Sequence, residues 1–349
     1  MPLPIPASPQ EITPVWLTEA LGRSVTEVSI LEAHAGTTGR ARLAVSYGDG
    51  GTGPASVFVK LPPFDAPQRR MIEVTDMGRK EARFYAELAP EIPVRIPRPL
   101  HARYGDASGE YIMVLEDLFA AGCSIPKPDD PEALDHARQV VIGQARVHAH
   151  FWKSPRFDAD LSWLQPPLRS EIGPRLVEQA LGMFGGEMPP VFTEIGRTYI
   201  DHHEAVSDLW DEGEATLVHG DCHIGNLFLD AGRIGFLDWA VMNRGPGIRD
   251  FAYYLANSIE TELRRAEEKN LLALYRETLE AAGVHPPDFE TLWQRYRLHC
   301  PYSWVSATVT AAMGDKWQPL RVGLDGMRRT TQAVQDLGSV DLFREELGL

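Results

Sequence analysis

The chain has 349 residues, enough for one large domain or for two lobes with a substantial buried core. Its 44% hydrophobic and 24% charged residues are ordinary for a globular protein, and no apolar run reaches the roughly 18 residues that span a bilayer. With 34 Lys and Arg against 49 Asp and Glu, the formal net charge of −15 repels nucleic-acid phosphates and anionic membranes and favours, if anything, a cationic ligand.

The opening "MPLPIPASPQEITPVWL" has neither the basic n-region nor the apolar h-region of a signal peptide. Cys123, Cys222 and Cys300 are odd in number and far apart, which argues against a disulfide framework. A cytoplasmic location is the expectation, and the oligomeric state is not legible. "TPVWLTEALG" predicts a short helix with Thr13 as N-cap, Pro14 in the first turn and Gly22 after the last. From about residue 25 to 118, short apolar runs alternate with Gly and Pro. "EVSILEAH", "ARLAVSY", "VFVKLP" and "YIMVLEDL" predict strands, and "GRKEARFYAELA" has helical spacing.

Two glycine-rich turns fall in this stretch. "GDGGTG", Gly48 to Gly53, matches the dinucleotide fingerprint letter for letter, but a proline-led strand follows where that fingerprint needs a helix. A hairpin turn is the better reading. Gly36, Thr37, Thr38 and Gly39 lie between two strands, where backbone N–H groups can approach phosphate oxygens without Cβ obstruction. From about Asp130 the pattern is mainly helical, broken only around Leu217 to Trp239. "DPEALDHARQVVIGQARVHAHFW" predicts one helix with Asp130 or its neighbour as cap and Pro131 in the first turn, and Glu260 and Arg264 predict a solvated helix face. The expected architecture is α+β: a β-rich N-terminal lobe, residues 1–118, and a mainly helical C-terminal lobe, residues 119–349.

"LVHGDCHIGNLFLD", Leu217 to Asp230, concentrates polar groups that a core segment would not need. Phosphoryl transfer to a hydroxyl asks for a carboxylate to orient the acceptor O–H and for oxygen ligands to Mg²⁺. Asp221 followed five residues later by Asn226 supplies both, as in the catalytic loop of protein kinases. A hairpin around Asp230-Ala231-Gly232 then returns Asp238 to the same side as a second metal ligand. Upstream, Lys60 ends an apolar strand and Glu81 sits in a helix, the order of the kinase lysine–glutamate pair that positions ATP. Glu116 and Leu118 of the "VLEDL" linker are assigned to nucleotide contact. Cys222 is read as a buried filler.

"HGDCHIGN" followed by "DW" resembles the aminoglycoside phosphotransferase and choline kinase superfamily, which shares a two-lobed protein-kinase-like fold. "AGTTGRARL", "EARFYAEL", "VHAHFW" and "GPGIRDFAYYL" are most similar to its ecdysteroid-kinase-like and acyl-CoA-dehydrogenase-associated branch. The resemblance implies Asp221 as catalytic base, Asn226 and Asp238 on Mg²⁺, and Lys60 with Glu81 on ATP. It implies His219 and His223 as structural members of the loop and Asp250 as its brace. Ala240 departs from the acidic residue that many relatives carry after "DW". C-terminal helices wall the acceptor cleft in this superfamily, making Tyr302 and Trp304 candidates for a substrate pocket.

The resulting expectation is an ATP- and Mg²⁺-dependent kinase of a hydroxylated small molecule. An aminoglycoside, a choline-like amine, a sterol and a hydroxyacyl chain all stay open as acceptors, with a lipid-like or hydroxyacyl alcohol favoured by the branch resemblance. Two alternatives stand beside it: a nucleotide-binding pseudokinase, and a zinc hydrolase using His219, Asp221 and His223.

Overall fold

The computed structural model describes residues 3–35, 38–48, 50–63, 66–107, 109–314 and 320–349. Helix α1 (Pro14–Leu21) forms where its caps dictate: the Thr13 hydroxyl accepts from the Trp16 N–H, and Gly22 leaves the helix at φ 62°. Strands β1 (Val25–Ala35), β2 (Gly39–Tyr47) and β3 (Ser56–Leu61) follow, then α2 (Ala66–Thr75), α3 (Met77–Arg83), β4 (Pro99–Tyr104) and β5 (Tyr111–Glu116). The five strands make one antiparallel sheet in the order β1-β2-β3-β5-β4. "GDGGTG" connects β2 to β3, so it is a strand connection and not the opening of a helix.

Period-two alternation divides the faces of this sheet. Ala41, Leu43 and Val45 of β2 are buried with Trp16 and Leu17 of α1. Arg40 and Arg42 therefore take the opposite face, paired across the ladder with Lys60 and Phe58 of β3. The edge strand β4 begins at the last proline of "IPRP", Pro99, a first position where a missing N–H costs least.

Helix α4 (Ala133–His150) starts later than the sequence predicts. Asp130 accepts the Lys127 N–H in a turn, and Glu132 is the N-cap without a side-chain bond. The chain continues through α5 (Ile172–Phe184), α6 (Pro190–Asp211), β6 (Ala215–Val218), β7 (Leu227–Asp230), β8 (Arg233–Phe236) and β9 (Asn243–Pro246). Helices α7 (Ile248–Ser258), α8 (Thr261–Ala281), α9 (Phe289–Met313), α10 (Leu320–Asp336) and α11 (Ser339–Leu347) complete it. Strands β7 and β8 form the expected hairpin, turned by Ala231 at φ 50° and Gly232 at φ 80°, the left-handed pair that suits two-residue hairpin loops.

Two compact units result, Met1–Ile125 with Phe228–Val241, and Pro126–Leu227 with Met242–Leu349. They differ from a simple cut at 118/119 because the hairpin joins the β-rich unit through bridges of Leu229 to Ser124 and of Gly235 to Arg95. In the helical unit, Arg264 is not on a solvated face. It is 1% exposed and pairs with Glu268 at 2.6 Å and with Asp336 of α10, while Glu268 also accepts the Tyr296 hydroxyl. A buried guanidinium needs such partners, and the helix turns Arg264 toward them rather than toward Glu260. Among the described residues, no helix is long and apolar enough to cross a membrane.

Candidate active site

In the β-rich unit, Lys60 is 5% exposed at the end of β3 and forms an ion pair with Glu81 of α3, which is wholly buried. Its Nζ also donates to Asp238 Oδ1 at 3.2 Å. Arg40, opposite Lys60 in the ladder, reaches Asp238 Oδ2 at 3.4 Å. Burial raises the Glu81 carboxyl above its ordinary range, an effect that the Lys60 charge counters. Asp238 follows β8 with φ 63°, a backbone conformation uncommon for residues other than glycine. Next to it Trp239 is buried and stacks on Phe84, three residues after Glu81, with ring centroids 4.4 Å apart. The segments that carry the two carboxylates on Lys60 are thus joined by one packed aromatic pair.

A cavity of about 220 Å³ opens on this cluster. Its walls include Arg40, Lys60, Glu81 and Asp238 at one side and Glu116, Leu118 and Phe119 of the linker at the other. The Glu116 side chain is engaged by Arg95 at 2.9 Å and by the Arg98 N–H at 3.0 Å, and its backbone N–H donates to the Arg98 carbonyl at 2.9 Å. Asp117, between them, accepts from Ser56 at 2.7 Å and Arg42 at 3.0 Å; burial works against its charge, but these bonds hold its carboxyl below the ordinary range. Thr38 is buried and accepts from Arg40 Nε at 3.2 Å, and Gly39 begins β2. Gly36 and Thr37 lie outside the described residues.

In the helical unit, Asp221 and Asn226 share the loop that follows β6. Asn226 Nδ2 donates to the Asp221 carbonyl at 2.9 Å and to Asp221 Oδ2 at 3.0 Å. Asp221 Oδ1 accepts from the Tyr253 hydroxyl at 2.6 Å. Burial and the adjacent Asp221 charge push the Tyr253 phenol well above its usual range, so it stays a donor. The Asp221 side chain keeps 34% exposure, enough to meet a ligand.

Asp250, in the first turn of α7, organises this loop. It is 2% exposed and accepts the His219 and Gly220 N–H groups at 2.7 and 2.9 Å. Gly220 needs its identity here, since it takes φ 83° to present that N–H. His148 Nε2 lies 3.2 Å from Asp250, and its Nδ1 is bonded to the Tyr275 hydroxyl at 2.9 Å. Burial would raise the Asp250 carboxyl, but bonding to His148 and nearby positive charge hold it below the ordinary range. Both loop histidines accept backbone N–H groups, His219 Nδ1 from Asp221 and His223 Nδ1 from Gly225, and His223 Nε2 also lies 3.6 Å from Asp221 Oδ2. Cys222 is fully buried, which pushes its thiol well above the usual range. Among the described residues, no three His, Cys, Asp or Glu side chains are grouped to hold a metal ion.

Tyr302 and Trp304 part company. Tyr302 lines a cavity of about 290 Å³ in the helical unit, whereas Trp304 is fully buried, donates to Thr331 at 3.0 Å and packs edge-on against Phe192. Two residues on a helix differ by about 200° in direction, so the pair could not share a wall. Tyr253, Arg40 and Ser306 were not singled out from the sequence, and His148, within "VHAHFW", reads there only as a helix residue packed on its lobe. Tyr253 and Arg40 sat within the quoted "GPGIRDFAYYL" and "AGTTGR", but nothing local marks a tyrosine that will touch an aspartate from another element.

This architecture, a five-stranded antiparallel sheet with a lysine–glutamate pair and a helical unit carrying an Asp–Asn loop, defines a two-lobed kinase of small molecules. The chain belongs to the phosphotransferase enzyme family, whose family model matches residues 32–297. It is similar in fold to a Ralstonia eutropha protein proposed as an aminoglycoside phosphotransferase, with 14% identity, TM-score 0.57, and 95% of this chain and 98% of that one covered. Streptococcus pneumoniae choline kinase gives 14% identity, TM-score 0.51 and coverage of 94% and 99%. Cryptosporidium parvum choline kinase gives 10%, 0.51, and 97% and 95%. No curated protein matches the sequence.

Proposed function

We propose that this enzyme transfers the γ-phosphate of ATP, with Mg²⁺, to a hydroxyl group of a small molecule. The observation that carries the reading is the fixing of Asp221. One carboxylate oxygen is held by Tyr253 and the other by Asn226, while the side chain remains open to a ligand. A carboxylate so oriented can accept an alcohol proton and align the oxygen for attack on phosphorus.

In the β-rich unit, Lys60 is the cation for the nucleotide phosphates, kept in place by Glu81, and the linker from Glu116 to Phe119 supplies the wall for the base. The metal donors fit magnesium: the Asp238 carboxylate and the Asn226 amide oxygen are hard oxygen ligands. Asn226 spends its N–H groups on Asp221, which leaves its Oδ1 as the ligand atom. The chemistry magnesium supplies when bound is neutralisation of charge on the phosphate oxygens. Asp238 has a second duty in orienting Lys60 and Arg40.

The test needs no acceptor. Titration calorimetry should show Mg²⁺-dependent ATP binding that Lys60→Ala weakens by about tenfold or more, roughly 1.4 kcal/mol. Wild-type protein that ignores MgATP, or a variant that binds it unchanged, would refute the assignment.

A further inference from the structure

The acceptor itself is addressed by the cavity of about 290 Å³ in the helical unit, a volume at the small end for ligand sites. Helix α9 presents Tyr302, Val305, Ser306 and Val309 to it, the i, i+3, i+4 and i+7 positions of one face. Ser306 Oγ lies 2.8 Å from the Tyr253 hydroxyl, which donates to Asp221. The wall of the cavity is therefore two hydrogen bonds from the residue assigned above as the base.

The charges in this cavity disfavour a cation. Asp211 is the acidic residue of the lining, and it is already engaged by Arg169 at 2.8 Å and Arg249 at 2.7 Å. Both guanidinium groups line the cavity as well. Aromatic surface is partly used within the protein: Arg249 sits 5.0 Å from the Tyr302 ring centroid, and Tyr199 stacks on Trp210 at 5.8 Å. A quaternary amine would find no spare carboxylate in the lining and would meet the partly exposed Arg169 guanidinium. Val305 and Val309 instead offer apolar surface, and Leu168 lines the cavity while 82% exposed, an exposure that an apolar ligand would reduce.

We infer that this cavity is the acceptor site and that it takes a small, uncharged alcohol with an apolar body, not an aminoglycoside or a choline-like amine. The inference rests on the proposed phosphotransfer for the meaning of "acceptor", but the binding itself is separable from it. Calorimetry or ligand-observed NMR would use 4-phenylbutan-1-ol and cyclohexylmethanol as apolar probes and choline and neomycin as cationic ones. The alcohols should bind, and Val309→Trp, which fills the cavity, should weaken them by about tenfold, roughly 1.4 kcal/mol. Should that variant lose its native circular dichroism, Val305→Asp serves instead, with the same expected loss for the alcohols. Choline or neomycin binding that is sensitive to position 309 or 305, or absence of alcohol binding, would overturn the inference. Loss of MgATP binding by wild-type protein would count against the phosphotransfer reading alone.

Discussion

At the scale of single residues, Asp221, proposed above as the base, is held still by neighbours from two elements. Asn226 comes from the same turn, but Tyr253 comes from α7, 32 residues on. The spacing of Asp221 and Asn226 was legible because both sit in one short loop, where sequence separation nearly fixes distance. The Tyr253 contact was not, since it depends on how α7 packs. Asp221→Asn keeps the shape and removes the basic carboxylate. In an ADP-release assay with an accepted alcohol, turnover should drop by roughly 10²–10⁴-fold, the usual worth of a general base, while MgATP affinity stays within about twofold. Unchanged turnover would move the proton-accepting role elsewhere.

At the scale of elements, the loop from His219 to Asn226 is built around a buried anion. Asp250 accepts two of its backbone N–H groups and bonds to His148, which is 102 positions away in sequence. Asp250→Ala leaves those donors without an acceptor and should cost on the order of 3 kcal/mol in denaturant unfolding. Its pH dependence follows from the lowered native pKa. The unfolded carboxyl titrates near its ordinary value of about 3.9, so the stabilisation is fully present above that pH. It is lost as pH falls through the lower native pKa. Wild type should therefore lose stability more steeply than Asp250→Ala below about pH 4, and parallel acid limbs would contradict this account. The hairpin turn at Ala231 and Gly232 and the caps of α1 were readable beforehand because both are local devices. The start of α4 was misplaced because Asp130 bonds to a turn instead of capping the helix.

At the scale of the whole molecule, helix α9 separates two tasks by rotation. Its Tyr302 face lines the cavity, and its Trp304 face fills the core of the helical unit with Phe192 and Thr331. Trp304→Ala should cost about 3–5 kcal/mol in denaturant unfolding, as large buried truncations do, while leaving the preference between 4-phenylbutan-1-ol and choline unaltered at temperatures where it stays folded. A changed preference with little loss of stability would return Trp304 to the pocket.

From composition, periodicity and motif spacing alone came the strand-then-helix order, the caps of α1, the hairpin and the expectation of a site at Lys60, Glu81, Asp221, Asn226 and Asp238, because each is read from residues close together in the chain. Packing alone decided which distant groups meet: Arg40 with Asp238 across 198 positions, His148 with Asp250, Arg264 with Asp336, and Ser306 with Tyr253. It also decided the charge of the cavity wall. The sequence-wide excess of acid favours cations, yet local pairing consumes Asp211 and leaves Arg169 and aliphatic side chains at the surface that a ligand would touch. Net charge sums over the whole chain, whereas recognition is governed by the few groups within a few ångströms, and only the fold selects those.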